Sequence, residues 1–242
     1  LTQTGDKPGL SSAEEVRRRL AEARQRRGYL LPHQGVMAAA LPELQDAYPA
    51  MYRALTVGDR HLTLHEKECV WLAILTACQE HVGTHHIAMF RESGGSNLQA
   101  QAVLQVAALA LGAPTVFGFV DDHWAEHFAL EETAPLYQSA IERICSAGQL
   151  DTNIGLLMAL GVHTAFSHEW GVRTTLRLCY RLDVHEGKMA EAMSLALWPC
   201  GMNRFVTAAF IWRDLILSGK VPASAGFVEW AKTRDQDGFT GL

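Results

Sequence analysis

Hydrophobic positions recur at three- and four-residue spacing along most of the chain, and no stretch sustains a period-two alternation of β-branched residues. The pattern predicts an all-α protein. A polar stretch containing Gly and Pro covers residues 1–11 and reads as a mobile tail. Ser12, with Glu15 three positions on, then starts a helix over about 12–27. A second helix is expected over 41–55, with Pro42 in its first turn and Tyr48, Met51, Tyr52 and Leu55 as its inward stripe. Residues 64–77 are apolar almost all round, so this third helix should be central. A fourth is expected from near Gln79 to Gly94-Gly95. A fifth, capped by Ser96 or Asn97, should run to about Leu111. Pro114 opens a sixth, which passes Trp124 and ends near Phe128.

The order then recurs. Segments 135–147, 150–166, 168–182, 186–197 and 202–217 echo 41–55, 62–78, 80–94, 98–109 and 114–129. At an offset of 88, Leu62 meets Leu150, Leu72 meets Leu160, Ala77 meets Ala165, Gly83 meets Gly171 and Trp124 meets Trp212. The expected organisation is a tail with an Arg-rich helix over 1–36, a motif-bearing repeat over 37–130, a degenerate repeat over 131–220, and a tail over 221–242. That last tail should hold a short helix near 227–232 and is able to wrap onto a neighbouring subunit. The two repeats should pack as one helical domain.

Composition narrows the function classes. The chain has 242 residues, 48% of them hydrophobic, enough for one substantial core. Its net charge of −5 offers no basic stripe for phosphates, so nucleic acid is excluded as a partner. Arg17, Arg18, Arg19, Arg24, Arg26 and Arg27 do crowd the first helix, but Glu14, Glu15 and Glu22 offset them as a solvated face. Cys69, Cys78, Cys145, Cys179 and Cys200 form no CxxC and no even framework, as expected of reduced thiols in the cytoplasm. The first residues lack the apolar core of a signal peptide. Residues 102–120 are apolar enough to mimic a membrane span. Gln105 and Gly112-Ala113-Pro114 interrupt them, so two buried helices and a soluble, non-membrane protein are expected.

The chemistry concentrates in residues 78–94, CQEHVGTHHIAMFRESG. His86 is the best single candidate, because an imidazole titrates near neutrality and can pass a proton either way. Glu80 is expected at a helix start, either as a simple cap or as an acid, base or orienting partner. On one regular helix it would sit far round from His86, so the two converge only if the helix starts irregularly near Gly83. His81 and His85, at i and i+4, share a face with metal-ligand spacing, and His123 and His127 repeat that spacing elsewhere. At the offset of 88, Glu80, His81, His85 and His86 become His168, Glu169, Arg173 and Thr174. The second half has therefore lost the cluster, although His168, Trp170 and Arg173 are placed to bind substrate in a shared site.

The stretch LTLHEKECVWLAILTACQEHVGTHHIAMFRESGGS, with MAAALPELQDAYPAMYRAL ahead of it, resembles the carboxymuconolactone decarboxylase/AhpD-like superfamily. The resemblance covers about 37–128 and, more weakly, 133–219. Peroxidase-type members carry CxxCxxxH, where this chain has Gln79 and Val82 before His86. Cys78 has no partner three residues on, so hydroperoxide reduction of that type is not expected. The Glu80-His81 junction looks more like the decarboxylase branch. The glutamate that members place in the preceding helix falls near Glu68.

The resemblance implies a lyase or isomerase of decarboxylase type that needs no cofactor. Its substrate would be a small, carboxylated or enolisable anion, cyclic ones included. His86 would move the proton, and Glu80, His81 or His85 would assist. Two alternatives stand beside it. One is a metal-dependent enzyme holding zinc or another transition metal on His81, His85, His123 and His127. The other is a module for ligand binding or assembly without catalysis. A homo-oligomer is expected in every case.

Overall fold

The computed structural model describes residues 9–130, 132–236 and 238. Residues 1–8 of the expected tail over 1–11, and the last residues, 239–242, lie outside that set. Among the described residues there is no strand, and the protein is all-α. The chain divides after Gly58 into two units.

The first unit holds α1 (Ala13–Arg27), α2 (Pro32–Ala40) and α3 (Pro42–Tyr52), followed by a π turn at Arg53–Val57. Ser12 caps α1 as read from the sequence, accepting from the Glu15 backbone N–H at 3.1 Å. Two arginines of α1 are matched by carboxylates: Arg18 pairs with Glu15 and Glu22, and Arg19 with Glu15 and Asp46. The sequence pattern missed α2, which crosses the expected boundary at 36/37. Pro32 occupies its first turn, where a missing N–H costs nothing, and Pro42 plays the same part for α3. Met51, expected to face inward, is exposed, while Leu55 is buried.

The second unit is built on α4 (Leu64–Ala77) and α9 (Thr152–Phe166), which pack against each other. Both are apolar on nearly every face. Cys69, Val70, Trp71, Ala73 and Ile74 on α4, and Leu156 to Leu160 on α9, have no solvent exposure. Around this pair stand α5 (Thr84–Glu92), α6 (Asn97–Ala113), α7 (Phe119–His123), α8 (Ala134–Gly148), α10 (Glu169–Arg181), α11 (Glu186–Leu195), α12 (Leu197–Cys200), α13 (Met202–Leu217) and α14 (Ala225–Lys232).

The break expected at Gly112-Ala113-Pro114 does not occur. A π turn over Pro114–Gly118 joins α6 to α7 into one helical rod, widening the backbone ring where Pro114 has no N–H to give. This rod, Asn97–His123, is long and apolar enough by length and composition to cross a membrane. Its inner face, with Val103, Val106 and Ala110, is buried in the core, against α4, α8 and α9. Leu104, Val116 and Phe119 remain exposed on it.

The spacing of 88 reappears in the helix starts, at Leu64 and Thr152 for the two central helices. A finer correspondence joins two glycines. A Cβ on Gly83 would meet the Leu75 side chain at 2.8 Å, and one on Gly171 would meet the His163 ring at 2.1 Å. Both members of this contact shift by the same offset, although Gly83 caps α5 and Gly171 lies in the first turn of α10.

Candidate active site

α4 owes its start to a capping box: Thr63 accepts from the Glu66 N–H, and Glu66 accepts from the Thr63 N–H. Its end is set by Gln79, which takes a left-handed φ of 57° and lets Glu80 N–H return to the Leu75 carbonyl at 2.9 Å. The chain then turns through residues 78–83, and α5 begins at Thr84 with Gly83 as its cap. The irregular start that the sequence required is therefore present, but it does not bring Glu80 to His86. Glu80 is exposed and closes the turn on itself, accepting from the Val82 N–H at 2.9 Å.

The carboxylate that meets His86 is Glu68, two turns back from the end of α4. Glu68 has no solvent exposure and His86 only 3%. His86 Nδ1 lies 2.8 Å from Glu68 Oε2. An ionised carboxylate only accepts, so in that pairing Nδ1–H is the donor. The Trp71 ring stacks on the imidazole at 4.5 Å between centroids, and the His85 ring lies 4.2 Å away on the other histidine contact. Glu68 and Trp71, three apart on α4, thus hold one imidazole from the side and from the face.

Two polar atoms beside that imidazole have no hydrogen-bond partner: Glu68 Oε1 and Trp71 Nε1, both fully buried. Buried polar atoms are nearly always paired, and leaving one unmade costs about 1–3 kcal/mol. An acceptor and a donor left unmet on the two flanks of a histidine are a local departure from that rule.

Other sequence candidates fall elsewhere. His81 is exposed on the 78–83 turn, off the helix that carries half-buried His85, so the i,i+4 relation between them is not realised. His123 ends α7 and His127 lies in the 3₁₀ turn Ala125–Phe128, because Trp124 leaves helical geometry between them. Both are exposed. Among the described residues no three His, Cys, Asp or Glu side chains gather as a metal-ligand set, so the four-histidine alternative is not assembled.

The residues read as substrate-binding have their own partners. Arg173 donates to Asp214 at 2.8 Å and to Glu169 at 3.1 Å. Trp170 Nε1 donates to Asp121 at 2.7 Å. His168 faces His163, with Nδ1 atoms 3.4 Å apart, and His163 Nε2 meets the Tyr137 hydroxyl at 2.8 Å. The Trp170 ring packs edge-on against Tyr137 and His163. This is a second buried cluster, on α8, α9 and α10. The bond between His163 and Tyr137, 26 positions apart, had no signal in the sequence pattern.

Burial, with a smaller push from His168, holds the His163 imidazole down at about 3, so it is neutral in the fold. The unfolded chain protonates it near the ordinary 6.5. Its contribution to stability is therefore complete above that value and is lost as pH falls toward 3. Each pH unit in that window costs up to about 1.4 kcal/mol. Urea unfolding at pH 7 and pH 5 should differ by about 2 kcal/mol more in the natural chain than in a His163→Gln variant. Equal pH dependence would refute this assignment.

Residues 42–120 match the family model of the carboxymuconolactone decarboxylase family. Over this module the chain is similar to that family. The module starts with α3 and ends in α7, so it contains both Glu68 and His86 and the helices that position them. At family level the match points to a decarboxylase-like or AhpD-like function. No curated protein and no solved structure matches the chain.

Proposed function

We propose that the module performs acid–base chemistry on a small carboxylated or enolisable anion, as a lyase or isomerase of decarboxylase type working without a cofactor. The observation that carries this reading is the buried Glu68–His86 pair with an unmet acceptor on Glu68 and an unmet donor on Trp71 beside it. His86 Nε2 is the proton-moving atom. Glu68 fixes the ring orientation and steadies the imidazolium that forms when Nε2 takes a proton. If a carboxylate leaves the substrate as carbon dioxide, its electron pair stays as an enolate. The imidazolium, its Nε2 proton taken up from water, then gives that proton to carbon. Trp71 N–H is a donor to the oxygen where enolate charge builds, and Glu68 Oε1 accepts from a substrate hydroxyl.

Glu80 and His81 are not used in this reading, because they lie on the exposed turn. His85 lines the imidazole and remains a candidate assistant. Arg173 already grips two carboxylates and is not assigned the substrate anion. Duplication of the helical unit is part of the proposal, supported by the shared spacing and the matched glycine contacts of Gly83 and Gly171. A panel of lactone acids and β-keto acids tests the chemistry. Consumption of at least one with release of carbon dioxide or a shifted double bond is expected. A panel left wholly intact counts against it.

A homo-oligomer is proposed as well, resting on the exposed Leu104, Val116 and Phe119 along the rod. Sedimentation of the purified chain as a monomer would remove that part.

A further inference from the structure

The cysteine pattern of the sequence conceals a contact. Cys78 caps the end of α4, and Cys200 ends α12, 122 positions later. Their sulfurs lie 3.2 Å apart, in each other's contact shell and little more than an ångström beyond bonding distance. Both side chains are half-buried, so a small reagent can reach them. Both also stand where the backbone can yield. Cys78 begins the 78–83 turn, and Cys200 precedes Gly201, whose φ of 86° only glycine adopts readily.

The other three cysteines contrast with them. Cys69, Cys145 and Cys179 are buried, and burial pushes their thiols up, to about 12 and about 11 for the first two.

We propose that Cys78 and Cys200 form a reversible dithiol–disulfide site linking the two halves of the chain, oxidised by low-molecular-weight disulfides. The site is separate from the Glu68–His86 chemistry and does not rest on it.

The electrostatics fit the order of events. The Cys78 S–H beside it, with a further contribution from Arg204, holds the Cys200 thiol down to about 7. The second proton of the pair, on Cys78, is held up by the Cys200 charge, by burial and by Glu80. Cys200 is thus the nucleophile and Cys78 the resolving thiol. The Cys200 thiolate attacks one sulfur of the external disulfide, forming a mixed disulfide and expelling one thiolate. That thiolate takes up the proton that Cys78 releases. Cys78 sulfur then attacks Cys200 sulfur and expels the second thiolate, which is protonated from water. Two electrons pass from the pair to the external disulfide, which leaves as two thiols.

The test uses the full-length reduced chain and glutathione disulfide at pH 7. After alkylation and digestion, mass spectrometry should find a peptide containing Cys78 bonded within the same chain to one containing Cys200. Cys69, Cys145 and Cys179 should remain alkylatable once the chain is unfolded. Cys78→Ser should stop at a glutathione adduct on Cys200. In the natural chain, Cys200 should react with iodoacetamide about tenfold faster at pH 7 than an ordinary thiol. If all five thiols stay free, or if the adduct in Cys78→Ser sits on another cysteine, the proposal is overturned.

Discussion

Replacing His86 with asparagine should lower turnover by about 10²- to 10⁴-fold, the range that a positioned general base contributes. The loss should fall on kcat, because the imidazole acts on the proton in flight rather than on the resting substrate. Glu68→Gln should give a smaller kcat loss. The amide keeps the shape of the carboxylate but no longer dictates which imidazole nitrogen carries the proton, and it does not steady a positive ring. Glu80→Gln is the internal control. Its carboxylate only closes the 78–83 turn, so turnover should stay near that of the natural chain. Steady-state kinetics of the three variants on the best substrate of the panel decides the matter. Equal losses for Glu80→Gln and Glu68→Gln would remove the distinction drawn between them.

The largest effect on stability should come from Glu191. Its carboxylate, 4% exposed on α11, accepts from the backbone N–H groups of His61 and Leu62 at 2.8 and 2.9 Å and lies 3.2 Å from Lys67 Nζ. Lys67 is itself 1% exposed, on α4 one residue before Glu68. Burial alone would push the Glu191 carboxyl up. The two backbone donors and Lys67 outweigh it and hold it below 4.5. Glu191→Ala leaves a buried ammonium, the buried Leu62 N–H and the part-buried His61 N–H without this acceptor, and should cost about 3–5 kcal/mol. Because the folded carboxyl titrates below its unfolded value, this stabilisation is complete above pH 4.5 and is lost on further acidification. Denaturant unfolding of the natural chain and of Glu191→Ala at pH 7 measures it; a difference under about 1 kcal/mol would reduce the pair to a surface-like ion pair.

Much of the fold could be read from hydrophobic spacing. The 64–77 helix announced its central place by being apolar on all sides, and the second central helix was found through the offset of 88. What escaped was backbone detail that side-chain pattern does not encode. Pro114 looked like a helix start, because a local pattern cannot reveal a π turn that absorbs a proline. α2 escaped because nine residues containing Pro and Gly give too little periodicity to stand out.

The candidate site divides in the same way. His86 was legible from its chemistry and from the family resemblance. Its partner was named only through the resemblance, which put a glutamate near Glu68; the residues themselves favoured Glu80, because Glu68 lies 18 positions away on another helix. Adjacency favoured Glu80; the left-handed turn at Gln79 and the late start of α5 gave the place to Glu68. The Cys78–Cys200 contact escaped for the same reason, at a separation of 122. The i,i+4 histidine pairs misled in the opposite sense. Their spacing was right for a helix, but His81 precedes α5 and Trp124 ends α7.

The central claim is that His86 moves a proton to or from substrate carbon. The most direct measurement is deuterium incorporation from heavy water into an enolisable β-keto acid or lactone acid, followed by proton NMR. The natural chain should catalyse exchange or deuterated product formation, His86→Asn should lose it, and Glu80→Gln should keep it. Undiminished incorporation by a folded His86→Asn protein would contradict the account.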